Sequence, residues 1–120
     1  MQLLGRSSPE MGFTKGLNII SDDVYSLENN ACHIGWNSIK STTNDESIKN
    51  LNNADFYFNH SFAYKWNSRY SICKTEYNSM LFSSVIRKGN VYGLQFHPEK
   101  SQLNGIKLLN NLLKNICCHA

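Results

Sequence analysis

The sequence predicts an α/β domain, and in particular the later part of one. Short runs of strand character follow one another as far as Phe96, and a long amphipathic helix then closes the chain. Strands followed by a helix that covers them give the layering of an α/β domain. At the junction stand His97 and Glu99, two residues apart, at the end of an apolar run. A chain of 120 residues can build at most one domain around one core.

The elements follow in order. Met1-Gln2-Leu3-Leu4 reads as an apolar helical turn, and residues 5–16, polar and broken by Pro9 and Gly12, read as a loop. Residues 17–20, 24–27 and 33–39 are strand candidates, the last with Gly35 marking close backbone approach. Residues 41–53 form a polar loop with a helical turn over 47–51. From 55 to 64 the alternation is clean. Phe56, Phe58, His60, Phe62 and Tyr64 fall on one side, and Tyr57, Asn59, Ser61 and Ala63 on the other. Residues 72–77 make a weaker strand, while 81–86 and 91–96 flank Arg87-Lys88-Gly89-Asn90, a hairpin signal. The last helix carries Leu103, Ile106, Leu109, Leu112, Leu113 and Ile116 in one stripe, opposite Gln102, Asn104, Lys107, Asn111, Lys114 and Asn115. Ser101 is placed to cap it. That stripe, Trp36 and the Phe56, Phe58 and Phe62 side are expected core, and His33 and His60 are expected to be structural.

Composition narrows the function classes. A hydrophobic content of 41% with 18% charged residues belongs to a globular chain rather than a disordered one. The net charge of +3 is spread without a basic run, which argues against a nucleic-acid binder. Cys32, Cys73, Cys117 and Cys118 lack metal-ligand or secreted-framework spacing, and adjacent Cys117 and Cys118 are poorly placed to bridge each other. They read as reduced thiols of a cytoplasmic protein. No apolar run approaches the roughly 20 residues that cross a bilayer, and the N-terminus lacks a secretion pattern.

His97 and Glu99 are the candidate chemistry. Alternate residues of an extended segment point to the same side, and Pro98 stiffens the link between them. A carboxylate that orients an imidazole is two-thirds of a nucleophilic triad. On spacing alone the pair reads more readily as an ordinary solvent-exposed contact.

Longer strings decide further. Phe96-His97-Pro98-Glu99-Lys100-Ser101 resembles the end of class I glutamine amidotransferases. Met1-Gln2-Leu3-Leu4, His33-Ile34-Gly35-Trp36-Asn37, Phe56-Tyr57-Phe58-Asn59-His60-Ser61, and Arg87-Lys88-Gly89-Asn90 running into Gly93 to Ser101 resemble, within that class, the glutaminase subunits of imidazole glycerol phosphate synthase. The resemblance implies a three-layer α/β sandwich around a mostly parallel central sheet, with residues 1–120 as its C-terminal portion. It implies attack of a cysteine thiolate on the glutamine amide, hydrolysis of a glutamyl thioester, and passage of ammonia into a cyclase barrel partner. His97 would be general base and acid, with Glu99 orienting it. Gln2 and the backbone around Ser61 and Phe62 would bind glutamine; Phe62 departs from the tyrosine often found there. Trp36, Asn37, Tyr57 and Lys100 would lie near the synthase interface, with Lys100 linking docking to the active site through a salt bridge. No metal and no organic cofactor is implied.

In the family pattern the nucleophile sits in a Gly-x-Cys-x-Gly turn just before Met-Gln-Leu-Leu. That string stands at Met1, so the cysteine, the first βα units and the glycine-rich oxyanion loop have no counterpart in these residues. No other cysteine has a glycine-flanked elbow around it. The expectation is a partial domain, inactive alone and poorly soluble where its strands lack neighbours. The alternatives are a paralogue supplying ammonia for surface-sugar amidation, a non-catalytic docking subunit, or a truncated remnant.

Overall fold

The computed structural model describes residues 1–9, 14–28 and 31–119. Gly12 of the expected loop and the side chain of Cys118 lie outside the described residues. The strands are β1 (Ser7–Ser8), β2 (Thr14–Lys15), β3 (Tyr25–Ser26), β4 (His33–Ser38), β5 (Lys40–Ser41), β6 (Asp55–His60), β7 (Phe62–Lys65), β8 (Ser71–Tyr77), β9 (Met80–Lys88) and β10 (Val91–Leu94). The helix α1 spans Gln102–His119, and 3-10 turns occupy Gln2–Leu4, Glu46–Ile48 and Pro98–Lys100. Among the described residues no helix is long and apolar enough to cross a membrane.

The nine-residue strand β9 is the spine of the main sheet. It pairs with β8 along one side, while β7 and β10 share the other side at opposite ends of it. The sheet continues to β3 beyond β7 and to β5 beyond β8. β4 and β6 form a separate ribbon, in unbroken register from His33 opposite His60 to Ser38 opposite Asp55.

Every pairing between these strands is antiparallel, and the parallel contact is an isolated bridge from Ser7 to Asp23. The mostly parallel sheet implied by resemblance is therefore not what the described residues form, although one helix on strands remains an α/β arrangement. The reason is connection length. A parallel pair needs a crossover of a dozen or more residues, whereas β8, β9 and β10, the centre of the main sheet, are joined by two-residue turns. Asn78 and Ser79, at φ 50° and 64°, close the β8–β9 hairpin in the arrangement of a type I′ turn. Gly89 at φ 60°, followed by Asn90, closes β9 onto β10, so Arg87 and Lys88 belong to the strand rather than the turn.

The expected strand over 55–64 is two strands. The chain bends at Ser61, whose carbonyl accepts the Leu27 N–H at 2.9 Å, so β6 serves the ribbon and β7 the main sheet. Beyond the bend the alternation resets: Phe62 is half-buried while Ala63 and Tyr64 are buried. Residues 17–20 do not form a strand, and the expected loop over 5–16 contains the β1–β2 pair. On β4, Ile34 and Trp36 face outward, so Trp36 is half-exposed and not core. The principal core gathers Phe56, Phe58, Phe82, Val85, Phe96, Leu108 and Leu112 among others, and a second cluster joins Ile20, Val24, Tyr64 and Ile86.

Helix α1 docks through a face that overlaps the expected stripe only at buried Leu112 and half-buried Ile116. Gly105, Leu108, Leu112 and Asn115 are buried, whereas Leu103, Ile106, Leu109 and Leu113 are exposed. Gly105 explains the choice, because a Cβ there would lie 1.9 Å from the Pro98 carbonyl oxygen. Only a glycine lets the helix press this closely on the turn below it. Asn115, expected on the polar face, instead donates its side-chain amide to the Tyr92 hydroxyl. Ser101 does precede the helix, but its hydroxyl donates to the His97 carbonyl at 2.6 Å and accepts the Tyr57 N–H at 3.0 Å.

Candidate active site

Three segments far apart in sequence, together with Cys32, meet around one cavity of about 500 Å³, lined by Met1, Gln2, Cys32, Asn59, His60, Ser61, Phe62, Leu94, Gln95, Phe96 and His97. The N-terminal turn forms one wall. It is held by the Tyr64 hydroxyl, which lies 3.2 and 3.1 Å from the carbonyls of Met1 and Gln2. From that turn the Gln2 amide donates to the Phe62 carbonyl at 3.0 Å. The Ser61 bend forms the second wall, where the Phe62 carbonyl accepts the Gln2 amide.

The third wall carries His97. β10 ends at Leu94 and Pro98–Lys100 is a 3-10 turn, so His97 and Glu99 do not share a strand face as expected. They meet across the turn instead, with His97 Nδ1 2.8 Å from Glu99 Oε1. The turn is pinned from two sides: the His97 N–H donates to the Tyr57 carbonyl at 2.9 Å, and Ser101 bridges the same strand as described above. Its own backbone N–H first, then the His97 ring, hold the Glu99 carboxyl below the usual carboxylate range. With Nδ1–H directed at the carboxylate, a neutral His97 keeps the lone pair of Nε2 for other partners.

Of the residues expected at the site, Gln2, Ser61, Phe62 and His97 line the cavity, and Glu99 stands behind His97. Trp36 and Tyr57 sit elsewhere, edge to face at 6.1 Å on the outer side of the ribbon. Lys100 reaches the same patch, its Nζ 5.8 Å from the Tyr57 ring, and makes no ion pair among the described residues. Asn37 points the other way, donating to the Glu76 carbonyl at 2.7 Å and lying 3.3 Å from His33 Nε2.

Other cavity residues escape sequence reasoning. His60, expected to be structural, is buried yet borders the cavity, and its Nε2 lies 2.9 Å from His33 Nδ1. Gln95 is buried beside it, with no hydrogen-bond partner for Oε1 among the described residues. Cys32 also lines the cavity, whereas Cys73 is enclosed in the core, where burial pushes its thiol up to about 12. The strand alternation marked His60 as inward-facing; nothing short of knowing that β4 pairs with β6 marks His33 as its partner. Among the described residues no group of three or more His, Cys, Asp or Glu could hold a metal ion.

The profile of the family "Glutamine amidotransferase class-I" matches residues 1–116, and the chain belongs to that family. Within it, the chain is similar to proteins named imidazole glycerol phosphate synthase subunit HisH. It is 42% identical to that of Buchnera aphidicola subsp. Acyrthosiphon pisum over 95% of this chain and 59% of the relative. It is 39% identical to that of Caldanaerobacter subterraneus subsp. tengcongensis, over 98% and 60%. The Methanocaldococcus jannaschii protein is 38% identical over 95% of this chain and 59% of its own length. The chain thus spans about three-fifths of the curated relatives it matches.

Proposed function

We propose that the chain is the part of an imidazole glycerol phosphate synthase glutaminase subunit that carries the base, its orienting carboxylate and the substrate cradle. The observation that supports it is the His97–Glu99 pair at 2.8 Å on the rim of a cavity whose facing wall is Gln2 bonded to Phe62. In this reading Glu99 fixes the His97 tautomer, and Nε2 takes the proton of a cysteine thiol. The thiolate attacks the side-chain carbonyl carbon of glutamine, the C–N bond breaks, and His97 returns the proton to departing ammonia. Water, deprotonated by the same nitrogen, then opens the thioester to glutamate. The thiol belongs to the family's Gly-x-Cys-x-Gly turn, ahead of the Met-Gln-Leu-Leu string, and the reaction requires it.

Ammonia passes to a cyclase barrel in a cytoplasmic heterodimer. The patch of exposed Trp36 and Lys100 with half-buried Tyr57 between them is the docking surface, with half-buried Asn37 next to it in sequence. No nucleic acid, membrane, metal or organic cofactor enters. A paralogue feeding surface-sugar amidation would use the same cavity and differ in its partner.

The test is titration of L-glutamine into the isotopically labelled chain, followed by NMR. Shifts confined to Gln2, Ser61, Phe62 and His97, and absent with asparagine, are expected. A spectrum unchanged at saturating glutamine would remove the reading.

A further inference from the structure

A directed series of hydrogen bonds runs from the outer ribbon to the cavity wall. Asn37 Nδ2 lies 3.3 Å from His33 Nε2, His33 Nδ1 lies 2.9 Å from His60 Nε2, and His60 Nδ1 lies 3.0 Å from the Phe62 carbonyl. That same carbonyl accepts the Gln2 amide at 3.0 Å. Its polarity is forced from both ends. A carbonyl only accepts, so His60 carries its proton on Nδ1 and offers Nε2 as an acceptor. His33 must then donate from Nδ1, which leaves its Nε2 to accept from Asn37. Asn37 is itself locked, because its Oδ1 accepts the Ser38 N–H at 2.8 Å and its Nδ2 also donates to the Glu76 carbonyl at 2.7 Å.

The surroundings allow no silent rearrangement. His33 and His60 are 2% and 7% exposed. His33 is stacked between Phe58 at 4.7 Å and Tyr77 at 4.1 Å, and Phe82 closes over both imidazoles. The titratable groups near the pair are Tyr77 on β8, Cys32 before β4, and His97 with Glu99 behind it across the cavity. No carboxylate among the described residues bonds either ring. A proton on His60 Nε2 would face the His33 N–H. Reversing His33 to relieve that would set its Nε2–H against the Asn37 amide protons. Burial, the largest cause for each ring, works in the same direction: it holds His33 at about 4 and keeps His60 below the ordinary histidine value.

We propose that Asn37, His33 and His60 are positioning residues of the cavity: together they fix the Phe62 carbonyl, and through it the Gln2 side chain, in a single proton arrangement. The proposal takes the identity of the cavity's ligand from the glutaminase reading, while the relay itself stands on geometry. Nothing in a strand pattern requires two buried histidines to use their Nδ1–H forms, the less common neutral tautomer of the free residue.

The test uses the chain labelled with 15N in its histidine rings and two-bond proton–nitrogen correlation. Both rings are expected as neutral Nδ1–H tautomers at pH 7. An Nε2–H tautomer, a charged ring, or resonances averaged to free-histidine values would overturn the proposal. Asn37→Asp supplies the second arm, because it sets an acceptor against His33 Nε2 while keeping the oxygen that Ser38 uses. His33 should switch to Nε2–H, and the Gln2 side-chain amide should exchange about tenfold faster or more as its carbonyl partner loosens. Unchanged Gln2 exchange beside a switched His33 would show that the relay positions nothing. Tautomers as expected in a chain that ignores glutamine would remove the glutaminase reading and leave the relay standing.

Discussion

Replacing Gly105 with alanine should destabilise the protein, although alanine is the better helix former. The added Cβ would lie 1.9 Å from the Pro98 carbonyl oxygen and 2.9 Å from its carbon, where ordinary contact begins at 3.4 Å. Either the helix or the turn carrying Glu99 must retreat by about 1 Å or more, and the obstacle is backbone rather than a flexible side chain. Helix propensity alone favours alanine by about 1 kcal/mol. Overpacking of this kind costs about 1–3 kcal/mol, and the severity of the overlap places it toward the upper end. The net expectation is a loss of about 1–2 kcal/mol, read as a lower urea midpoint at unchanged slope. The His97 Nδ1 proton, followed by NMR, should shift as the turn that carries Glu99 moves relative to the His97 ring. A variant that melts at or above the parent with that proton unmoved would refute the reasoning, because propensity would then act unopposed and the helix could not be wedged on the turn.

Other outcomes follow from the same packing. Phe58→Ala removes a fully buried ring that meets His33, Phe82 and Phe96, and should cost about 3–5 kcal/mol in denaturant unfolding. A loss under about 1 kcal/mol would mean that the ribbon does not pack on the core. Ser79→Gly should raise stability by about 0.5–1 kcal/mol, since Ser79 holds φ 64° in a turn that prefers glycine there; a fall would place another backbone at that corner. Stability should also drop as pH falls from about 6.5 to about 4. Burial holds His33 at about 4 and shifts His60 the same way, so in that window the unfolded chain binds protons that the native state refuses. Asp23, held at about 2 by Arg6 and Ser7, acts only at lower pH. A denaturant midpoint flat from pH 7 to 4 would show the two rings to be solvated.

Local patterns were legible where local forces decide. Strand character located β4, alternation located β6, the turn signal around Gly89 located the β9–β10 hairpin, and periodicity located α1. What could not be read is which surfaces meet. Helix α1 carries leucine and isoleucine around most of its circumference, so its sequence offers two apolar faces, and Gly105 chose between them through a contact with a distant turn. The parallel sheet came from resemblance rather than from the residues, and the described strands pair antiparallel instead. Phe62 and Tyr64 continue the alternation of Phe56 and Phe58 in sequence, yet the bend at Ser61 sends them into another sheet. At the site, His97 and Glu99 were recognisable as a pair although the geometry joining them is a turn. His33 remained hidden because cross-strand pairing is a property of two segments, here 27 residues apart.

The way the cavity is assembled has a kinetic consequence. β8, β9 and β10 are joined by two-residue turns and can zip together as neighbours. The cavity's facing walls, Gln2 and Phe62, are 60 residues apart, and the contacts that close so long a loop, the Gln2 amide and the Tyr64 hydroxyl among them, must first offset its entropic cost. The N-terminal turn should therefore dock after the sheet has formed, an order that hydrogen exchange of its amides would read. Ligand binding in the cavity would report on completed folding more stringently than any measure of secondary structure.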